Sequence, residues 1–297
     1  MRLSIITINY NNPIGLEETI LSVINQTNRN FEYVIVDGGS TKGDVNIIKK
    51  YDNEITKWIS EPDSGIYNAM NKAVKMCNGE YCLFMNSGDT LYCNTTVDEI
   101  FQHTFTEDFV EGIITFKNRP GVFHFPVKDL NLSYFIYVTN NYHQASLIKR
   151  KMLLDNPYDE TYRIAADMKF NMQCIINHNC SYRGINVVIS IYECNGLSMT
   201  VNHDEEIRRI FEDLIPYRII RDYEEHEFLH VWPFFKVYPK LQTLCTNPRL
   251  YSVILNICKL LGKKPSENQI RYLEKLKRNK NNEIYSSNRY YDNIKLS

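Results

Sequence analysis

The apolar run Tyr81–Met85 stops abruptly at Asn86-Ser87-Gly88-Asp89. A buried strand ending in a small polar turn presents one carboxylate at its tip. Asp89 there can hold Mg²⁺ or Mn²⁺ through oxygen and leave the ion's other positions to a diphosphate. Thr7, Asn9, Asp37 and Asp63 stand at the ends of other segments. Asp37 and Asp63 can accept hydrogen bonds from ribose hydroxyls or a base N–H, with Thr7 and Asn9 as short polar contacts beside them. No Lys or Arg cluster accompanies these motifs, so the set describes a nucleoside diphosphate bound through a metal. For Asp89 the competing reading is a polar turn that merely ends a strand.

Other nucleotide signatures are absent. There is no GxxxxGK[ST], and no GxGxxG follows the first strand. Gly38-Gly39-Ser40-Thr41 could cradle a phosphate only weakly. The eight cysteines form no CxxC pair, which points to reduced thiols rather than a zinc site or a disulfide framework. The net charge of -1 gives no general affinity for nucleic acid. The charge is uneven, however: residues 231–297 carry 13 Lys plus Arg against 4 Asp plus Glu. No leader pattern opens the sequence. The best apolar stretch, Leu250–Leu261, is interrupted by Asn256 and Lys259 and falls short of the roughly 20 residues a spanning helix needs. The expectation is a cytoplasmic protein, soluble or peripheral on the inner face of the membrane.

The polar tips need a scaffold. Leu3–Ile8, Phe31–Val36 and Tyr81–Met85 are predicted as buried strands, with Thr56–Ile59 a weaker one. Helical spacing joins Leu16, Ile20, Val23 and Ile24, and a weaker helix is expected over Asp44–Tyr51. Ile66, Ala69, Met70, Ala73, Val74 and Cys77 form a full apolar stripe, capped by Asp63 or Ser64 and ended by Gly79. Such alternation predicts a parallel sheet with helices on both faces and a ligand crevice outside the carboxyl ends of the strands. Further strands are expected at Glu111–Phe116, His143–Lys149 and Gly184–Tyr192, and helices over Ala165–His178 and around Ile207–Leu214. Tyr134, Phe135 and Tyr137 read as core.

Six segments in order, SIITINYNN, YVIVDGGSTKGD, SEPDSGIYNAMNKAVKMCNGEYCLFMNSGD, HQASLIKR, AADMKF and CNGLS, resemble the family 2 glycosyltransferases of the GT-A fold. The similarity covers roughly residues 1–200 and is closest to the bacterial branch that builds capsule, exopolysaccharide and lipopolysaccharide. It implies an α/β fold with a mostly parallel central sheet flanked by helices. The catalytic domain would be 1–200, with a nucleotide half of about 1–100 and an acceptor half of about 101–200. A helical basic extension, 201–297, would follow. The implied reaction is inverting transfer from a nucleotide sugar, with uridine as the usual base, to a hydroxyl of a glycan acceptor carried on polyprenyl diphosphate.

The resemblance also implies residue roles. Asp89 would be the metal ligand at the last position of the family's DxD motif. Asn86 stands at the first position, where it would meet the ribose without bringing charge. Asp37 and Asp63 would contact the nucleoside. Asp167 would be the general base alone, because Ala166 stands where relatives often carry Glu; without the resemblance, Asp167 reads as a helix N-cap. His143 would meet the acceptor or the diphosphate, or else is a satisfied buried histidine. Gly196-Leu197-Ser198 matches a family loop of no assigned chemistry. Two rival functions are a sugar-nucleotide nucleotidyltransferase, which needs a basic Gly-rich loop where NYNNPIGLEE stands, and a non-catalytic nucleotide-binding protein of the same fold. In the tail, WPFF, Leu250–Leu261 and RYLEKLKRNK over 231–280 suit an anionic membrane surface or a basic helix packed on the catalytic domain.

Overall fold

The computed structural model describes residues 2–137, 142–194, 196, 203–220 and 252. The chain divides into two compact units, Met1–Leu214 and Ile215–Ser297. The sheet and cleft below belong to the first. Apart from Ser252, the basic 231–280 segment lies outside the described residues.

β1 (Leu3–Asn9) is buried at every position and β2 (Phe31–Asp37) at its last five. Strands covered on both faces mark the middle of a helix-clad sheet. β1 lies between β2 and β4 (Tyr81–Phe84), and β3 (Lys57–Ser60) lies beyond β2; all three pairings are parallel. The connections are α1 (Pro13–Ile24), α2 (Asp44–Lys50) and α3 (Ile66–Met76). α1 begins with Pro13 behind Asn12, whose side chain accepts from the Gly15 N–H at 3.2 Å. α3 buries Ala69, Met70, Ala73 and Val74, as its stripe predicts. Its cap differs from expectation. Gly65 is the N-cap, and Asp63 closes the turn before it by accepting from the Gly65 N–H at 2.9 Å. The helix stops at Met76 because Cys77 is extended.

Beyond β4 the sheet is mixed. β8 (Ser146–Lys149) runs antiparallel to both β4 and β6 (Phe109–Phe116). β9 (Tyr182–Tyr192) runs parallel to β6, and short β5 (Thr90–Leu91) pairs antiparallel with β9. β7 (Arg119–His124) folds back on β6 as a hairpin. The order is β3-β2-β1-β4-β8-β6-β9-β5, with β7 beside β6. The parallel half matches the predicted alternation; the antiparallel strands of the second half leave no such mark in the sequence. The predicted strand at His143 opens as a 3-10 turn, His143–Ala145, and becomes extended only at Ser146. The predicted helix from Ala165 is α7 (Ala166–Met172) followed by a π-helical turn over Gln173–Asn177. The six-residue helices α4 (Thr96–Phe101), α5 (Leu132–Tyr137) and α6 (Arg150–Asp155) are too short to show a period. Tyr134 and Phe135 are core, as expected. The side chain of Tyr137 lies outside the described set. α8 (Asp204–Leu214) falls within the first compact unit, which therefore runs past residue 200. No described helix is long and apolar enough to cross a membrane.

Glu111 sits inside this sheet, 1% exposed, paired with Ser146 on β8 and Gly184 on β9. Burial pushes its carboxyl up to about 7, against the Tyr182 hydroxyl that donates to it at 2.6 Å. In the unfolded chain the group returns to about 4.3. Between those values the folded state holds a proton that the unfolded state has lost. Stability therefore falls as pH rises through that window and is flat above it. Glu111→Gln keeps an oxygen to accept from Tyr182 and removes the charge. It should stabilise the protein at pH 8 by up to about 3 kcal/mol and lose most of that gain at pH 4, as urea denaturation at the two pH values would measure.

Candidate active site

Gly88 takes φ +107, a conformation that side chains resist, and lets the chain turn sharply after β4. The Ser87 N–H donates to the Ile8 carbonyl at 3.1 Å, and the Asp89 N–H to the Asn86 carbonyl at 2.9 Å. Thr19 on α1 is fully buried; it accepts from the Gly88 N–H at 2.9 Å and donates to the Asp89 carbonyl at 2.7 Å. The turn is thus pinned from β1 and from α1. The Asp89 carboxylate is 3% exposed. Oδ1 accepts from the Glu193 N–H at 3.0 Å, just past β9, and Oδ2 from the Gln144 amide at 3.1 Å. Burial pushes this carboxyl up to about 6, opposed by the hydrogen bonds from the Glu193 N–H and the Gln144 amide. Its two donors are neutral amides, so the buried charge has a deficit that a cation would offset. Hard carboxylate oxygen suits Mg²⁺ or Mn²⁺. Among the described residues no group of three His, Cys, Asp or Glu converges on a metal position. Asp89 could give such an ion a carboxylate oxygen.

Asp167 lies in the first turn of α7, 8% exposed. It is not the N-cap, a position that Ala165 takes. Its Oδ2 is 3.1 Å from His143 Nδ1, its Oδ1 accepts from the Met168 N–H at 2.9 Å, and the Tyr67 hydroxyl on α3 is 3.1 Å away. Burial alone would raise this carboxyl, but His143, the Met168 N–H and Tyr67 hold it below the ordinary carboxylate range. The group is ionised at neutral pH. His143 Nε2 in turn lies 3.0 Å from Asn86 Nδ2. Two adjacent residues of one 3-10 turn therefore reach both carboxylates, His143 touching Asp167 and Gln144 touching Asp89. The loop before α7 is fixed by Glu206 of α8, which accepts from the N–H groups of Arg163, Ile164 and Ala165 at 2.6, 2.9 and 2.9 Å.

These groups border one cleft of about 1550 Å³, lined by Asn9, Asp63, Asn86, Asp89, His143 and Asp167 among others. Thr7 and Asp37 do not reach it. Thr7 is wholly buried, its hydroxyl 3.0 Å from that of Tyr33. Asp37 is also wholly buried; it accepts from Asn9 at 2.7 Å, the Ser40 N–H at 2.9 Å and the Ser60 hydroxyl at 2.6 Å. It braces the turn after β2 from below and does not line the cleft, where its nucleoside contact is expected. Asp63 does border the cleft, because residue 38 has no side chain. A Cβ on Gly38 would fall 2.4 Å from Asp63 Oδ2 and 3.2 Å from Tyr10 Cδ2. Tyr10 is 66% exposed beside this opening.

Nothing in the sequence pattern pointed to Tyr10, Tyr67, Glu193 or the cations. Lys117 and Arg119, from the β6–β7 turn, and Arg163 border the cleft, so the site holds more positive charge than the motifs alone suggested. Lys117 pairs with Glu18 at 2.8 Å and Glu193 at 2.6 Å. A hairpin predicted with its turn would have been the only signal for this pair. Gln144 could have been read from its adjacency to His143. Gly196 borders the cleft, and Leu197 and Ser198 lie outside the described residues.

The profile of Glycosyl transferase family 2 matches residues 4–122. A PGL/p-HBAD biosynthesis glycosyltransferase of Mycobacterium tuberculosis is 30% identical over 202 residues, covering 64% of this chain and 76% of that protein. The chain belongs to glycosyltransferase family 2. An uncharacterised glycosyltransferase of Methanocaldococcus jannaschii is 28% identical over 191 residues, covering 59% of this chain and 64% of that protein. Among solved structures, S. aureus TarS 1-349 in complex with UDP-GlcNAc has a TM-score of 0.58 at 22% identity, over 72% of this chain and 65% of that one. Mannosyltransferase PcManGT from Pyrobaculum calidifontis, in complex with GDP-Man and Mn²⁺, has a TM-score of 0.50 at 15% identity, over 70% and 60%. The curled mixed sheet with its helices is the GT-A fold.

For this family 2 enzyme the opening at Gly38 generates a test. Gly38→Val should push Asp63 and Tyr10 aside and weaken nucleoside diphosphate binding about tenfold, or about 1.4 kcal/mol. The melting temperature should change little, since neither displaced side chain is core. Calorimetric titration with UDP and with GDP measures this; unchanged affinity for both would move the nucleoside position elsewhere.

Proposed function

We propose that this protein is a metal-dependent inverting glycosyltransferase that transfers a sugar from a UDP-sugar to a hydroxyl of a glycan acceptor carried on a lipid, in surface glycan assembly. One observation carries the reading. A buried carboxylate short of positive charge, Asp89, and a buried ionised carboxylate, Asp167, border the same cleft, held by consecutive residues. The fold neighbours support the donor class. TarS is solved with UDP-GlcNAc and with UDP, and glucosyl-3-phosphoglycerate synthase of Mycobacterium tuberculosis with UDP and Mn²⁺. The PGL/p-HBAD biosynthesis relatives support an acceptor in glycoconjugate assembly.

In this reading Asp63 and Tyr10 receive the nucleoside, and Asn86 meets the donor beside them. Asp89 holds the divalent ion, whose charge, when bound, offsets the charge gathering on the departing diphosphate. Arg119 adds a cation at the same rim. The acceptor hydroxyl oxygen attacks the anomeric carbon from the face opposite the nucleotide. The bond from that carbon to the diphosphate oxygen breaks in the same displacement, and the hydroxyl proton passes to Asp167. Low carboxyl basicity is acceptable here, because the hydroxyl loses its proton as the new bond forms.

Two outcomes are expected. UDP affinity, measured by calorimetry, should fall at least about tenfold with EDTA and in Asp89→Ala; no change in either would remove the metal from the reading. Asp167→Asn should lose about 10² to 10⁴ in turnover while UDP binding stays nearly intact. If that variant kept most of its turnover, another group would have to take the proton.

A further inference from the structure

The imidazole of His143 has two partners and both are decided by chemistry. Its Nδ1 is 3.1 Å from Asp167 Oδ2, and an ionised carboxylate can only accept, so Nδ1 carries a proton. Its Nε2 is 3.0 Å from Asn86 Nδ2, and with the amide in this orientation Nε2 accepts. A ring that donates on one side and accepts on the other is neutral. The ring and the carboxylate are both largely enclosed, with side chains 14% and 11% exposed, so water does not compete freely for either contact. Asn86 opens the turn that carries Asp89, and Asp167 opens α7. The histidine therefore joins the two halves of the cleft.

We propose that His143 is a positioning residue for the base Asp167, held as the neutral Nδ1–H tautomer by the side-chain amide of Asn86. The proposal rests on the transferase reading above for the role of Asp167, whereas the tautomer is read from the two contacts of the ring. It also accounts for an amide rather than a carboxylate at position 86. An aspartate there could only accept, so Nε2 would have to carry a second proton. The resulting imidazolium would pair with Asp167 and make it a poorer base. The first residue of the NSGD turn thus acts on the proton-accepting side of the reaction as well as beside the donor. Asn86 Oδ1 is buried without a hydrogen-bond partner.

The test uses the full-length chain labelled with ring-¹⁵N histidine. The chain has seven histidines, and His143 is assigned by the signal lost in His143→Gln. Without any ligand, proton–nitrogen correlation at pH 7.5 should show His143 with one protonated and one unprotonated ring nitrogen, the protonated one being Nδ1. In Asn86→Asp both nitrogens should be protonated. A wild-type imidazolium, an Nε2–H tautomer, or an unchanged pattern in Asn86→Asp overturns the proposal, whatever the enzyme turns over. The second readout is turnover of UDP-GlcNAc and other UDP-sugars. His143→Gln should lower kcat by about 10- to 100-fold with the donor KM within about threefold. Added to Asp167→Asn it should cost nothing further, because it acts through that carboxylate. A full additional loss in the double variant, or wild-type kcat in His143→Gln, also overturns it. If Asp167→Asn itself retained turnover, the base assignment would fall while the tautomer measurement still stood.

Discussion

Two carboxylates buried on one cleft are an electrostatic burden, and a single 3-10 turn is what makes the pair tolerable. His143 and Gln144 are consecutive, yet one meets Asp167 and the other Asp89. The two sites come out opposite. Asp167 collects an imidazole N–H, a backbone N–H and a tyrosine hydroxyl, and stays ionised below its ordinary value. Asp89 has two neutral amides, and burial wins, raising it to about 6. Carboxylates pushed apart in this way are suited to different tasks, which is what the proposed roles of Asp167 and Asp89 use. Neither assignment needs a charge network on the protein, because the environment of each group supplies the difference.

The turn can do this only because its neighbours hold still. Beneath the nucleotide end, Asn9 donates to Asp37 at 2.7 Å and to Asp44 at 2.9 Å, while Ser40 and Ser60 satisfy the rest of Asp37. That network fixes the strand ends of β1 and β2 and the start of α2 relative to each other. Thr19 does the same for the NSGD turn from α1.

Much of this was legible. Continuous apolar runs and a full helical stripe marked β1, β2, β4 and α3, and the polar residues after each run marked the cleft. Asp63, Asn86, Asp89 and Asp167 border it as the motifs suggested. Thr7 and Asp37 show the limit. A polar residue at a strand end can face the ligand or brace the turn, and the sequence does not distinguish the two when both use the same hydrogen-bonding atoms. The antiparallel half was obscure for another reason. β5 and the helices α4 to α6 are too short for a period to repeat clearly, and strand direction there depends on contacts distant in sequence. Lys117 and Arg119 were invisible as site residues until β7 folded back on β6.

The least legible contribution is α8. Its own pattern says only that Ile210 is buried, yet its polar side chains reach the segment that leads into α7. Glu206 gathers three successive N–H groups, Asp213 accepts from the Tyr162 hydroxyl at 3.0 Å, and Arg209 lies 3.7 Å from the centre of the Tyr162 ring. A carboxylate that accepts three N–H groups replaces water at each of them and leaves the segment one arrangement rather than many. The carbonyl of Ile164, in that same segment, receives the Tyr67 hydroxyl that also touches Asp167. The placement of Asp167, the proposed base, thus depends on a helix about forty residues further along the chain. A catalytic domain ending at residue 200, where the family resemblance fades, would leave out the element that holds the loop before Asp167.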